Sequence, residues 1–430
     1  MLDLKFIREN KEAIKENCRN RQAEVDIDKL LELDEKKRIL DKEIQTLRGE
    51  RNKKSKTKPT PEEIAQMKAV GDTIQSQEGE VRALEEAILP LLLAVPNLTH
   101  KDVKISSDED DNPVLEQIGE PTEFKFQPQD HVALLEKLGL LDLERGAKVA
   151  GAKFYYLKGQ LAELEQALIS YALDIIKKHG YELLATPLAA NRDLIEKLGF
   201  SPRGESTQIY NLADTELGLI GTAEIALGAY HADEVLPAAV LPLRYVAVTP
   251  CFRTEAGSYS KFSKGLYRVH QFNKVEMFIY ATPEMSEELH QEILAIEKAI
   301  WRGLKLPFRV IDHCTADLGN PSTRTFDLEA WLPASPAVAL AKEESTAANT
   351  LGRWGEVTSC SNCTDYQARG LNIRYSDNEG KKNFVHTLNG TGLAASRALI
   401  AVVENYQTKD GTIEVPKVLR KYLDFKVIKN

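Results

Sequence analysis

The densest collection of reactive groups lies in PCFRTEAGSYSKFSKGLYRVHQFNKVE, residues 250–276. It opens as a β-rich run, crosses a polar Gly/Ser/Lys stretch and returns as a second β-rich run. Arg253 and Glu255 are two residues apart, which places them on one side of a strand; Arg268 and Glu276 belong to the returning half. A guanidinium offers a rigid fork to phosphate or carboxylate, and a carboxylate accepts from an ammonium or an exocyclic amine. A hairpin presenting both suits a polyphosphate or zwitterionic ligand. Ordinary cross-strand salt bridges on a surface strand pair would give the same charge pattern.

A second candidate is Cys360-Ser-Asn-Cys363. Such a pair is half of a zinc site or a redox couple. No second CxxC exists, and the nearest His/Cys pair is His313-Cys314, so the spacing does not support four-ligand zinc. A buried, inert pair is the expectation. With Cys18, Cys251 and Cys314 the cysteines number five, an odd and sparse set that does not read as a disulfide framework. A reducing cytoplasm is therefore expected.

Two kinds of element must hold these groups. From about Asp28, apolar residues fall at Leu30, Leu33, Leu40, Ile44 and Leu47, with Lys37 filling one skipped slot. A second run holds Ile64, Met67, Ile74, Val81, Leu84, Ile88 and Val95. Both follow a period near 3.5, the seam of a coiled coil. Between them KTKPTPEE (56–63) breaks the helix, and Thr60 with Pro61 starts the next. Residues 28–95 thus read as an antiparallel helical hairpin behind a short helical lead-in, each arm projecting on the order of 45 Å. Pro90 is expected to kink the second arm. The turn is basic: Arg48, Arg51, Lys53, Lys54, Lys56 and Lys58 against Glu50 alone. A solvated helix end reads the same way as a phosphate-contacting finger.

VPNLTHKDV and SDEDDNP (95–113) have linker composition, which places the boundary between domains 1–105 and 106–430. Beyond it helical patterns alternate with β-rich runs: LAELEQALISYALDIIKKHG (161–180), RYVAVTPCF (244–252) and QFNKVEMFIYA (271–281). The fold class is α+β, built on an antiparallel sheet. The chain has 430 residues, 43% hydrophobic and 28% charged, and a net charge of −9, which excludes a protein coated in positive charge but not a local basic patch. No run reaches the roughly 18 apolar residues of a membrane span, so no membrane association is expected. The charged N-terminus lacks the apolar core of a secretory signal.

The 250–276 segment resembles motif 2 of class II aminoacyl-tRNA synthetases in the seryl family's form, with a CFR-x-EAG opening and an RxHQFxKVE close. TLNGTGLAASRALIAVVENYQ (387–407) resembles motif 3. GYELLATP (180–187), ending in Pro187, resembles motif 1. LIGTAEIAL (219–227) is similar to the Thr-x-Glu serine loop and EVTSCSNCTDYQAR (356–369) to the nucleotide segment. With the hairpin, the resemblance covers essentially the whole chain. It implies a class II antiparallel-sheet catalytic domain behind a coiled-coil arm, and an ATP-dependent serine–tRNA ligase.

The resemblance also implies roles. Arg253 would bind the α-phosphate of ATP and the serine carboxylate, Glu255 the adenine side, and Arg397 the γ-phosphate. Phe272 would stack beneath adenine. Thr254, Arg268, Val269, Val357, Thr358 and Ser359 would line the nucleotide, and Glu356 would hold Mg²⁺. Thr222, Ala223, Glu224, Arg253, Glu276 and Thr391 would select L-serine, and Arg48, Arg51, Lys53 and Lys54 would contact tRNA(Ser), and tRNA(Sec) where that tRNA is present. A homodimer follows from motif 1. The chain departs from the family in its motif 2 loop, SYSKFSKG (258–265), where Lys261 and Lys264 keep some positive charge. It departs also in Thr391, where many bacterial members have Ser, and in an Ala/Ser/Thr-rich insertion, 334–352. Two other readings compete. A paralogue that loads a carrier protein would not need the arm. A non-catalytic RNA-binding scaffold would be expected to lose Arg253, Glu276, Glu356 or Arg397, and all four are present.

Overall fold

A computed structural model describes residues 1–54, 60–200, 208–255, 265–336 and 351–429. They form two compact units, Met1–Leu98 and Thr99–Asn430. Residues 99–105, grouped by composition with the first domain, belong to the larger unit: His100 N donates to Thr323 O at 3.0 Å and Thr315 N to Lys104 O at 3.0 Å.

The smaller unit is helical. α1 (Leu4–Glu9) and α2 (Lys11–Asn20) precede the long pair α3 (Ile27–Lys54) and α4 (Pro61–Ala94). Thr60 starts α4 as a capping box: its hydroxyl accepts from Glu63 N at 3.3 Å, and Glu63 Oε2 accepts from Thr60 N at 2.7 Å. Leu30, Ile44, Ile74, Ile88 and Leu92 are buried along the seam. Lys37 bridges to Glu85 at 3.1 Å and Arg48 to Glu78 at 2.6 Å, so polar pairs flank the apolar contacts. Ile64, in the first turn of α4, is not buried in the seam: it is 54% exposed. α4 runs through Pro90 to Ala94, and the proline lies in its last turn and a half.

The larger unit is organised by an eight-stranded sheet. In chain order its elements are β1 (Val114–Ile118), α5 (Gln160–Ile176), β2 (Glu182–Leu184), α6 (Ala223–Gly228), β3 (Leu243–Phe252) and β4 (Gln271–Ala281). There follow α7 (Ser286–Leu304), β5 (Phe308–Asp312), β6 (Arg324–Pro336), β7 (Leu351–Thr364), β8 (His386–Ala394) and α8 (Ala395–Asn405). The strand order is β1-β5-β6-β7-β8-β4-β3-β2, antiparallel throughout except where the short β2 runs parallel to β3. The predicted helix over 161–180 ends as expected, through a 3₁₀ turn into Gly180 at φ +82°.

Alternation along the central strands separates two jobs. Val246, Val275, Met277 and Ile279 point to one face, where α5, α7 and α8 bury them in the main core. Tyr245, Ala247, Phe278 and Tyr280 point to the other, where α6 packs. Glu276 shares the parity of Phe278, so the reactive residues belong to the face opposite the three long helices.

Candidate active site

On that second face lies a cavity of about 360 Å³. Arg253, Glu255, Val269, Phe272, Glu276, Glu356, Val357, Thr358, Ser359, Thr391 and Arg397 all line it, with Thr222 and Glu224 at one end. Side chains separated by more than a hundred residues thus share one space.

Local irregularities aim several of them. Strict alternation along β7 would send Glu356 the way of Thr358, whose hydroxyl donates to Glu297 Oε2 on α7 at 2.9 Å. A bulge between Glu356 and Thr358 resets the parity, and Glu356 joins Ser359 in the cavity. A second bulge between Thr391 and Leu393 lets Thr391 face the cavity while Leu393 enters the helix-side core. Arg253 and Glu255 are not strand neighbours as their spacing suggested. β3 ends at Phe252; Arg253 N still pairs with His270 O at 3.0 Å, but Thr254 N turns to Gln208 O at 3.1 Å, and Glu255 takes φ +50°.

At one end Arg397 Nη1 lies 2.8 Å from Glu356 Oε1 and donates to Glu356 O at 3.2 Å. Burial resists ionisation of Glu356, but Arg397, aided by Arg253, holds its carboxyl below the usual range. In the middle, Arg253 Nε donates to Gly221 O at 3.2 Å and its guanidinium sits 5.4 Å from the centre of the Phe272 ring. Glu255 Oε2 meets Arg268 Nη1 at 3.3 Å. Arg268, Thr254 and Ala223 do not line the cavity; Ala223 is fully buried in α6.

At the other end Thr222 caps α6, its hydroxyl accepting from Glu224 N at 3.2 Å. Glu224 Oε1 accepts from Gln367 Nε2 at 2.7 Å and Asn389 Nδ2 at 3.1 Å. Burial, and then the neighbouring Glu276, push the Glu224 carboxyl up to about 7. Glu276 is 1% exposed and ion-paired with Lys274, which also donates to Thr391 Oγ1 at 3.5 Å. This end offers two carboxylates, two hydroxyls and one ammonium, a set that can grip a small zwitterion.

The N-terminal 99 residues match the seryl-tRNA synthetase N-terminal domain, and residues 208–406 match the class II tRNA synthetase core domain of the G, H, P, S and T group. A serine–tRNA ligase from Treponema denticola is 47% identical over 432 residues, covering 99% of each chain. The chain belongs to the seryl-tRNA synthetase family. A serine–tRNA ligase from Rubrobacter xylanophilus is 43% identical over 100% of this chain and 99% of that one. The crystal structure of seryl-tRNA synthetase from Pyrococcus horikoshii complexed with ATP superposes with a TM-score of 0.88 at 39% identity, over 100% of this chain and 99% of that one.

Sequence reasoning missed Lys274 and Asn389, which line this seryl-synthetase-family cavity. Each stands two residues before a flagged residue on the same strand, Glu276 and Thr391, so alternation alone would have found them. Tyr267 lines it too, and no periodicity announced it. The five cysteines are all buried and form no disulfide. Cys360 lies in the helix-side core, and Cys363 Sγ accepts from Asn389 Nδ2 at 3.7 Å; burial pushes both thiols up. Among the described residues no group of three or more His, Cys, Asp or Glu could hold a metal. Arg48, Arg51 and Lys53 lie at the exposed end of α3, whereas the Lys54 side chain and Lys56, Lys58, Lys261 and Lys264 lie outside the described residues. So does most of the 334–352 insertion, residues 337–350. No described helix is long and apolar enough to cross a membrane.

Proposed function

We infer that the chain activates L-serine with ATP and transfers the seryl group to tRNA(Ser). A serine carboxylate oxygen attacks the α-phosphorus, the bond to the β-bridging oxygen breaks, and pyrophosphate leaves. A ribose hydroxyl at the tRNA end then attacks the seryl carbonyl, surrendering its proton as AMP departs. The attacking group comes from the substrate, so the protein's work is positioning and charge stabilisation.

The observation that carries this reading is the single cavity shared by Arg253, Glu276, Glu356 and Arg397. Arg253, fixed by Gly221 and flanked by Phe272, stands between the two ends, where charge grows on the α-phosphate. Glu255 and Val269 take the adenine side with Phe272, and Arg397 takes the γ-phosphate. Thr222, Glu224, Glu276 and Thr391 hold the ammonium and hydroxyl of serine. Alanine would leave buried polar groups unpaired and is rejected on that ground.

Mg²⁺ fits the other end. The Glu356 carboxylate and Ser359 hydroxyl are hard oxygen donors on the cavity wall, the donor type this ion takes. Bound there, the ion would neutralise charge on the phosphates.

The arm is assigned to tRNA by its basic end at Arg48, Arg51 and Lys53. A cytoplasmic location accords with five buried cysteines that form no disulfide. A homodimer rests on the motif 1 resemblance, and use of tRNA(Sec) on family likeness alone. Serine-dependent exchange of pyrophosphate into ATP, followed by charging of total tRNA, tests the whole reading. Exchange with another amino acid but none with serine would overturn the substrate assignment.

A further inference from the structure

Tyr267 sits between the returning end of the motif 2 segment and the two residues given to the triphosphate end. Its ring centre lies 4.9 Å from the Arg397 guanidinium carbon and 4.4 Å from that of Arg353. Its hydroxyl reaches Glu356 O at 3.4 Å, and Glu356 in turn holds Arg397 at 2.8 Å. One aromatic ring therefore touches both members of the Arg397–Glu356 pair.

The surroundings fix that ring. Leu266 N donates to His131 Nε2 at 3.3 Å, and His131 Nδ1 meets Glu404 Oε1 at 2.9 Å. Glu404 is on α8, the helix that carries Arg397, so the chain leading into Tyr267 is tied to the element that carries the arginine. Gly265 makes the tie feasible: a Cβ there would fall 2.3 Å from His131 Nε2, and the residue has φ +68°. On the far side stands Gly355. A Cβ at that position would lie 3.2 Å from the Tyr267 hydroxyl, 3.3 Å from its ring and 2.9 Å from Leu332 Cδ1.

We propose that Tyr267 is a positioning residue for the triphosphate end: its ring holds the Arg397 guanidinium, and through it the Glu356 carboxylate, in the orientation that meets the nucleotide. Arg353 stacks on the same ring and helps to hold it, without itself lining the cavity. A face-on aromatic platform restricts a flexible guanidinium without competing for its hydrogen-bond donors, which stay available to phosphate. Gly355 supplies the room the ring occupies. The inference rests on the assignment of Arg397 and Glu356 to the triphosphate.

The test is pyrophosphate exchange with ATP and serine varied separately, alongside thermal melts. Tyr267→Leu is expected to raise KM for ATP about tenfold while KM for serine stays within about twofold, with a cooperative melt retained. Tyr267→Phe keeps the ring and is expected to stay within about twofold of the parent on both. Gly355→Ala should raise KM for ATP in the parent and add less when Tyr267 is already Leu, because the two changes act on one contact. An ATP KM untouched by Tyr267→Leu, or equal losses for ATP and serine, overturns the proposal. Arg397→Ala separates the layers. If it raises KM for ATP while Tyr267→Leu does not, the platform fails and the triphosphate assignment stands; if Arg397→Ala itself leaves KM for ATP unchanged, that assignment fails.

Discussion

Thr391 on β8 stands directly across the antiparallel ladder from Glu276 on β4. Both face the cavity, both touch Lys274, and both are more than nine-tenths buried. A hydroxyl and a carboxylate are thus held side by side by backbone pairing rather than by loop geometry. Strand-mounted groups lose little freedom on binding, which favours a site that must tell serine from alanine.

Thr391→Val should therefore weaken serine use by roughly tenfold or more, the cost of removing a buried hydroxyl partner, while leaving KM for ATP near the parent value. Thr391→Ser keeps the hydroxyl and should restore serine activity. Exchange assays with serine and alanine at varied concentration check both. An unaltered serine-to-alanine preference in the valine variant would remove Thr391 from the selective contacts.

Glu224 gives a pH prediction. Its carboxyl titrates near 7 in the folded chain against an ordinary 4.5, chiefly from burial and next from Glu276. A raised carboxyl value means that the folded state holds the proton more tightly, so the group favours folding below 4.5 and loses that advantage as pH rises towards 7. The loss above 7 is on the order of 3 kcal/mol. A serine ammonium requires the ionised form, so KM for serine should fall as pH rises through about 7. Glu224→Gln retains an oxygen that accepts from Gln367 and Asn389 and cannot ionise. It should melt higher than the parent at pH 8, show little difference at pH 5, and lose serine-dependent exchange.

The sheet was legible because its central strands are β-rich apolar runs, buried on both faces: QFNKVEMFIYA is β4 residue for residue. The long hairpin was legible because its heptads are regular, and Ile64 is exposed at the end of the arm, in the first turn of α4. The site residues that motif likeness named mostly converge. Among those it did not name, Lys274, Asn389 and Tyr267 show where the reading stopped. The first two needed alternation applied one step further. Tyr267 depends on a contact across β7, on the bulge that turns Glu356, and on a glycine 88 positions later, none of which leaves a periodic trace. The two bulges were equally invisible, since a single extra residue in a strand alters no composition.

The CxxC pair should behave as packing. Burial raises both thiols, so little reactive thiolate forms at neutral pH. The native chain should resist alkylation at Cys360 and Cys363 and become reactive only on unfolding, and a chelator strong enough for zinc should leave its melting temperature unchanged. Mass mapping of alkylated peptides, native against denatured, is the measurement; rapid native labelling at Cys363 would contradict this.

The arm can be removed cleanly because its two helices face each other where the cut falls. Lys37 on α3 bridges to Glu85 on α4 at 3.1 Å, so deleting residues 35–85 leaves two helix stubs whose ends a short Gly/Ser turn can join. The cavity residues all lie in the larger unit, and serine-dependent exchange should survive the deletion. Charging of tRNA should be lost with the arm, and unchanged charging would refute its role. In the full chain, charging should weaken with salt far more steeply than exchange does, because phosphate contacts release counterions and amino-acid activation does not. Replacing Arg48, Arg51 and Lys53 together by Ala should flatten that salt slope by about one unit for each phosphate contact removed, with exchange unaffected.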